Sequence, residues 1–476
     1  MESTNLVLAL LLPPLLGMLC VNPLISGATP GRTTLVVGYG TLLGLLVVPL
    51  LVRLLDAFGV TLAFTAVGSL VAALIVLLVP AQGLRDRARR GLPPACSAAR
   101  SLSAPQQALL VLFLLLIALR ITTLGLELLW RPLYPWDATM HWATKARVWF
   151  ELRSLAPFVE HQQWLELGGT GVYTDNHPGY PITTPLLQLW MSLAIDRWDE
   201  SLINLPWLLC CLGLLAAFYG QARAVGGSPL TAVIFTYMLL SMPLLGTHVA
   251  LAGYADLFLG ACYGAALMAF YNWSVSGERG QAVLATVFAL CCPLIKNEGF
   301  YWLLTFVPAL IVLRFPARRS VLILVGAGVI LALALVVIPQ NLSVAGHSLR
   351  DLHLYYRPLA LAGIASSVLL QDNWHLLGYL LPALLLILIW RKPVMGELSG
   401  TAAALLSAVV LFLLLFLFTR YSLGAVRFTA VGRISLHLVP ALLFFCLLLW
   451  QQVIVRLPTA PRSAIDGNAV VADRSP

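Results

Sequence analysis

The sequence predicts an all-α integral membrane protein with about thirteen transmembrane helices and outer juxtamembrane helices. Two observations predict it. Hydrophobic residues make up 60% of the chain and charged residues only 10%, with a mean hydropathy of +0.90, whereas a soluble globular chain carries roughly 25% charge. Apolar runs long enough to cross a hydrocarbon core about 30 Å thick also recur from end to end. In lipid such runs are helices, because every backbone N–H and C=O must find its partner within the segment.

The candidate spans are 5–24, 34–52, 59–80, 106–125, 202–222, 229–249, 257–274, 282–298, 299–313, 320–339, 375–390, 399–419 and 434–452. The stretch from Ile295 to Phe300 suits either two short spans or one long tilted helix. Three spans and a basic loop fill 1–105. A core at 106–315 carries a large outer loop, 126–201. Residues 316–456 hold the last spans with outer loops 340–374 and 420–433, and 457–476 form a small polar tail expected to be disordered.

Orientation follows from the short loops. Arg85, Arg87, Arg89, Arg90 and Arg100 stand against the single acid Asp86 in 81–105, which places that loop in the cytoplasm. Alternation then puts Arg314, Arg318, Arg319, Arg391, Lys392, Arg456, Arg462 and Arg474 inside as well, and the three outer loops on the other face. The net charge of +9 therefore reflects helix ends and does not point to nucleic acid. Cys20, Cys210, Cys211, Cys262, Cys291, Cys292 and Cys446 lie in apolar runs and Cys96 in the basic loop, without metal-ligand spacing. No Gly-rich phosphate loop is present to drive ATP-coupled transport.

Most remaining polar chemistry lies outside. After Tyr134-Pro135-Trp136 the pattern is helical, with Asp137, His141, Thr144 and Lys145 on one face and Ala138, Trp142, Ala146 and Trp149 on another. This predicts a helix in the membrane interface with its tryptophans at headgroup depth. Asp137 suits either an N-cap or a base, and the two roles are compatible. Tyr173-Thr174-Asp175-Asn176-His177-Pro178 follows, in which Asp175 and Asn176 are turn formers or substrate ligands. An apolar segment, 182–195, is then too short to span and predicts a second interfacial or re-entrant helix. Asp256 and Lys296 interrupt apolar sequence, and ionisable groups at membrane depth are functional candidates. Their structural alternatives are helix capping for Asp256 and snorkelling for Lys296.

Trp136-Asp137-Ala138, His177-Pro178, Asp256, Lys296 and Arg433 occur in an order and spacing that resembles the GT-C superfamily of polyprenyl-phosphate-sugar glycosyltransferases. The likeness is greatest to the bacterial branch that includes aminoarabinose transferase and relatives of protein O-mannosyltransferases, and it covers roughly 106–315. The chain departs from the pattern in its three preceding spans, in Ala138 where many members carry a second carboxylate, and in Asn297-Glu298 before the glycine.

The resemblance implies a GT-C-like fold in a bacterial inner membrane, with the active site on the periplasmic face. It implies transfer of a sugar, with inversion, from a lipid-linked donor to a hydroxyl of a glycan, lipid or protein. Asp137 would be the general base. Lys296, Arg433 and Arg427, with Arg420 a further candidate, would hold the donor phosphate. His141, Asp175, His177, Asp256 and Lys145 would position substrates. A divalent metal is left open as a cofactor. For Arg420 and Arg427, headgroup contact is the structural alternative. Two other readings compete. One is a polysaccharide ligase or polymerase, in which the late arginines and His437 matter more than Asp137; the other is a transporter or flippase for lipid-linked sugars, which inverted repeats would mark.

Overall fold

The computed structural model describes residues 2–89, 102–337, 342–344, 347–348, 354–391 and 396–455. Almost everything described is helix. The strands are a parallel two-residue pairing of Phe158–Val159 with Tyr173–Thr174 and an antiparallel one of Ser343–Val344 with His347–Ser348. Arg90, Cys96, Arg100, Lys392, Arg456, Arg462, Arg474, part of the 340–374 loop and the tail expected to be disordered lie outside the described residues. The helix Phe64–Arg89 runs on beyond the span read as 59–80, through residues 81–89, where Ala, Gln, Leu and Arg favour helix and outnumber one Gly and one Asp.

Each of the thirteen apolar runs carries helix, but their lengths differ. Among the described residues six helices are long and apolar enough to cross a membrane: Ser3–Leu24, Arg32–Ala57, Ala104–Trp130, Leu202–Ala224, Ala317–Ala334 and Gly396–Phe418. A bent pair, Pro229–Ser241 and Pro243–Ala250, makes a seventh if taken as one broken span. Shorter apolar helices account for most of the rest, among them Arg279–Ile295, Gly299–Arg314 and Val439–Val453. In Ala104–Trp130 and Ala317–Ala334 only 6% of the apolar window is buried by the protein itself. Water could not be the solvent for two such helices; a bilayer is.

The breaks have identifiable causes. Pro243 lacks an N–H and bends its pair by 64°. The freed groups are satisfied from a neighbouring loop, where His375 Nε2 donates to the Ser241 carbonyl at 2.8 Å and the Leu244 N–H donates to the Asn373 carbonyl at 3.3 Å. The second break leaves Lys296 extended (φ −156°, ψ 149°) between Arg279–Ile295 and Gly299–Leu304. Non-helical backbone at such depth persists where protein encloses it, and both Lys296 and Asn297 are buried.

The core is organised around Asp256–Ser276, which is buried from Asp256 to Tyr271. It packs against Leu205–Ala224, Arg279–Ile295 and Val439–Val455. Gly260 permits a close approach, since a Cβ there would lie 2.8 Å from the Leu436 carbonyl oxygen. One turn before it stands Asp256, and next to Leu436 stands His437, so this glycine brings their side chains within reach.

Two elements of the outer loop are enclosed by protein. The tryptophans Trp142 and Trp149 are buried in the protein, at 1% and 3% exposure, so protein and not lipid headgroups surrounds them. Each has aromatic neighbours that supply the apolar surroundings lipid would otherwise provide, Tyr180 and Tyr254 for Trp142 and Phe158 for Trp149. The short helix Thr183–Ile195 is buried along its whole length, enclosed by the N-terminal helices and the Thr144–Leu152 helix.

Candidate active site

Asp256, fully buried, is the centre of the first cluster. Its Oδ1 accepts from Lys296 Nζ at 2.8 Å and from His437 Nε2 at 2.9 Å. Its Oδ2 accepts from Arg433 Nε at 3.3 Å and Nη2 at 3.1 Å. The same guanidinium reaches Asp137, where Nη1 donates to Oδ2 at 2.6 Å. Lys296 also pairs with Glu298 at 3.0 Å, and Arg433 lies over the Tyr254 ring, 4.0 Å from its centroid.

A buried carboxylate in this setting is tolerated because two cations and an imidazole N–H use its lone pairs. The His437 tautomer follows from its neighbour. Trp302 Nε1, which can only donate, meets Nδ1 at 3.1 Å, so the imidazole proton resides on Nε2. His437 is therefore read as neutral. Three acids, Asp137, Asp256 and Glu298, then face two fixed cations, Lys296 and Arg433.

Gly253 lets its backbone come close to Ala138, the neighbour of Asp137. Its φ of +108° is accessible to glycine, and a Cβ at that position would lie 2.6 Å from the Ala138 Cβ. Asp137 makes no side-chain capping bond at the start of the π-helical turn Ala138–Ala143. Of its two possible roles, the capping one is absent; the carboxylate is turned to Arg433 instead. Asp256 likewise makes its bonds to Lys296, His437 and Arg433, and Lys296 is drawn inward to two acids where snorkelling would have carried it outward.

A second cluster lies in the outer loop. Asp175 binds His141 Nδ1 at 2.6 Å and Lys145 Nζ at 2.5 Å. Its Oδ1 also accepts the His177 backbone N–H at 3.1 Å. Asp175 is thus both the turn former and the partner of two functional candidates. Helical spacing places His141 and Lys145 one turn apart. Burial works against the Asp175 charge, but Lys145 and His141 outweigh it and hold the carboxyl below its ordinary range. Burial lowers Lys145, and Asp175 only partly offsets that. Burial and the neighbouring His141 lower His177, which stays neutral at pH 7.

Rings connect the clusters. His177 stacks on Tyr180 with centroids 4.8 Å apart and planes 13° apart. Tyr180 stacks on Trp142 at 6.1 Å, and Trp142 meets Tyr254 edge-on at 6.1 Å. Burial and then the Glu298 carboxylate push the Tyr180 phenol up to about 12, so it remains a neutral donor.

The structure unites Asp137, Asp256, Lys296 and Arg433, and separately His141, Lys145, Asp175 and His177. It does not bring in Arg427. That residue follows the five-residue helix Ser422–Val426 and its side chain is exposed, outside the cluster that Arg433 enters from the next helix. Arg420 is exposed as well and lies over the Tyr421 ring. Sequence reasoning missed Tyr180, Tyr254, Trp302 and the role of Glu298. Only Glu298 carried a signal, as an acid two residues from a lysine in apolar sequence.

Among the described residues no group of three or more His, Cys, Asp or Glu side chains is placed to hold a metal ion. The donor set around Asp256 does not suit one, because its oxygens are taken by Lys296, Arg433 and His437.

Beside this network is an apolar cavity of about 470 Å³, lined by Leu411, Leu414, Leu415 and Phe418 together with Trp302 and Glu298. Comparison of the chain with protein-family models, with curated proteins and with solved structures gives no match.

Proposed function

We propose that the protein is a membrane glycosyltransferase that moves a sugar from a polyprenyl-phosphate donor to a hydroxyl of an extracytoplasmic glycan, lipid or protein. One observation carries the reading: a carboxylate and two cations share a single bonded network next to a cavity fit for an apolar chain. Asp137 has one oxygen, Oδ2, on Arg433, while Oδ1 has no protein partner among the described residues. That oxygen is available to take a proton from an acceptor hydroxyl.

The acceptor oxygen then attacks the anomeric carbon as the bond from that carbon to the phosphate oxygen breaks. The electron pair leaves with the lipid phosphate. Three of the five Arg433 N–H groups are used by Asp137 and Asp256, and two of the three on Lys296 by Asp256 and Glu298. Two guanidinium donors and one ammonium donor remain for the departing phosphate. Single displacement at one face gives inversion.

The finer reading adds the GT-C-like arrangement with about thirteen spans, and 126–201 and the clusters on the outer face of a bacterial inner membrane. Its support is the basic loop at 81–105. Single cysteines at Arg89 and Gly169 test that orientation: an impermeant maleimide should label only the second in intact cells, and equal labelling would overturn the orientation.

A ligase or polymerase that used His437 as its base fits less well, because both ring nitrogens are engaged, Nδ1 by Trp302 and Nε2 by Asp256. The enzyme reading is tested by mass spectrometry of lipid extracts and surface glycans with and without the protein. A lipid-linked monosaccharide should accumulate while a glycan loses that sugar. Unchanged profiles would remove the reading.

A further inference from the structure

The apolar cavity has polar neighbours that the transfer chemistry leaves unused. Besides the walls already described, Leu354, Tyr355 and Thr419 line it. The segment from Tyr355 to Arg357 is tied to the open C-terminal end of the helix Ser399–Phe418. There the Tyr355 N–H donates to the Phe418 carbonyl at 3.1 Å, and the Arg357 N–H donates to the Leu417 carbonyl at 2.9 Å. Both carbonyls belong to the last turn, where a helix has no partners of its own to offer.

Side chains complete the attachment. The Tyr355 hydroxyl oxygen accepts from Arg357 Nε at 3.1 Å and from Nη2 at 2.7 Å. Its two lone pairs are then engaged, so its own proton goes to Ser422 Oγ at 3.2 Å. Ser422 is fully buried, which gives the guanidinium a fixed support. Arg357 itself is half-buried, and three of its five N–H groups are left over. Among the described residues no carboxylate pairs with it.

Charge balance gives that cation a use. Asp137, Asp256 and Glu298 face Lys296 and Arg433, with His437 neutral, so the network carries one negative charge in excess. A lipid phosphate brings further negative charge to the same poorly solvated place, where like charges repel strongly. A further cation beside the cavity offsets that repulsion. Arg357 is bonded to the wall residue Tyr355, whereas Arg420 is exposed and lies over the Tyr421 ring.

We propose that Arg357 is a binding residue that recognises the phosphate of an isoprenoid lipid whose chain lies in the cavity. The inference rests on the transferase reading and adds to it a recognition residue for the donor.

The test measures binding of farnesyl phosphate and of farnesol to the purified full chain in detergent, by thermal shift. The wild type should prefer the phosphate. Arg357→Gln should weaken the phosphate about tenfold, the order expected for losing a charge-assisted hydrogen bond at a partly exposed site, and leave farnesol unchanged. Arg357→Lys should keep most of the affinity. Tyr355→Phe retains the ring in the cavity wall but releases the guanidinium, and should fall between the two. Raising the salt to about 1 M should weaken phosphate binding more in the wild type than in Arg357→Gln. An Arg357→Gln protein that keeps the full preference for phosphate over alcohol would overturn the proposal and leave the transferase reading standing. So would competition by phosphatidylglycerol as effective as that by farnesyl phosphate itself, because the arginine would then be a contact for ordinary bilayer lipid. A wild type with no preference for the phosphate would overturn both.

Discussion

Asp137→Asn should lower sugar transfer by 10² to 10⁴, the range for losing a positioned base, with donor binding retained. The expectation follows from the free Oδ1 and the bond from Oδ2 to Arg433. Asparagine can still accept from Arg433 but cannot take the acceptor's proton. The fold should hardly change, because Asp137 makes no capping bond. Its ion pair is also partly solvated, with side-chain exposures of 33% for Asp137 and 23% for Arg433, and such pairs contribute about 0–1 kcal/mol. Arg433 keeps its two bonds to Asp256 and remains able to meet phosphate. The measurement is single-turnover transfer from a polyprenyl-phosphate sugar by purified protein, beside a melting curve. Near-normal turnover in a folded variant would remove Asp137 as the base.

Asp175→Asn should be the most destabilising single change in the outer loop, by about 3–5 kcal/mol, the usual penalty for leaving one member of a buried ion pair alone. Lys145 and Asp175 each have side chains only 2% exposed, so water cannot replace the lost carboxylate. Adding Lys145→Met should recover most of the loss, because the stranded ammonium is then gone. Melting in detergent of the two single variants and the double closes the cycle. A double variant no more stable than Asp175→Asn alone would show that the pair is not what holds this loop.

The pH dependence has a definite sign. The folded Asp175 carboxyl lies below its ordinary value. Its contribution is therefore fully present above the unfolded carboxylate range near pH 4 and is lost as pH falls through the lower folded value. Acid destabilisation of the wild type should be weaker in Asp175→Asn over that window.

Composition and hydropathy are enough to read an all-α membrane protein, because the demand that a helix satisfy its own backbone in lipid is met residue by residue along a run. Asp256 and Lys296 are conspicuous for the same local reason, as charges in apolar sequence, whereas Asp137 stands out by the helical pattern after Pro135 and Arg433 by the resemblance alone. Their partnership was not legible. Arg433 and Asp137 are 296 residues apart, His437 and Asp256 181, and His437 and Trp302 135.

Such pairs form only where close-packed helices bring distant backbones together, as Gly260 does against the Leu436 carbonyl. Tertiary packing alone therefore decided that Lys296 turns inward to two acids, that Trp142 and Trp149 enter the core, and that Arg427 stays outside the cluster. A charge in an apolar run announces that it needs a partner, but a chain's local pattern holds no record of which partner the fold will deliver.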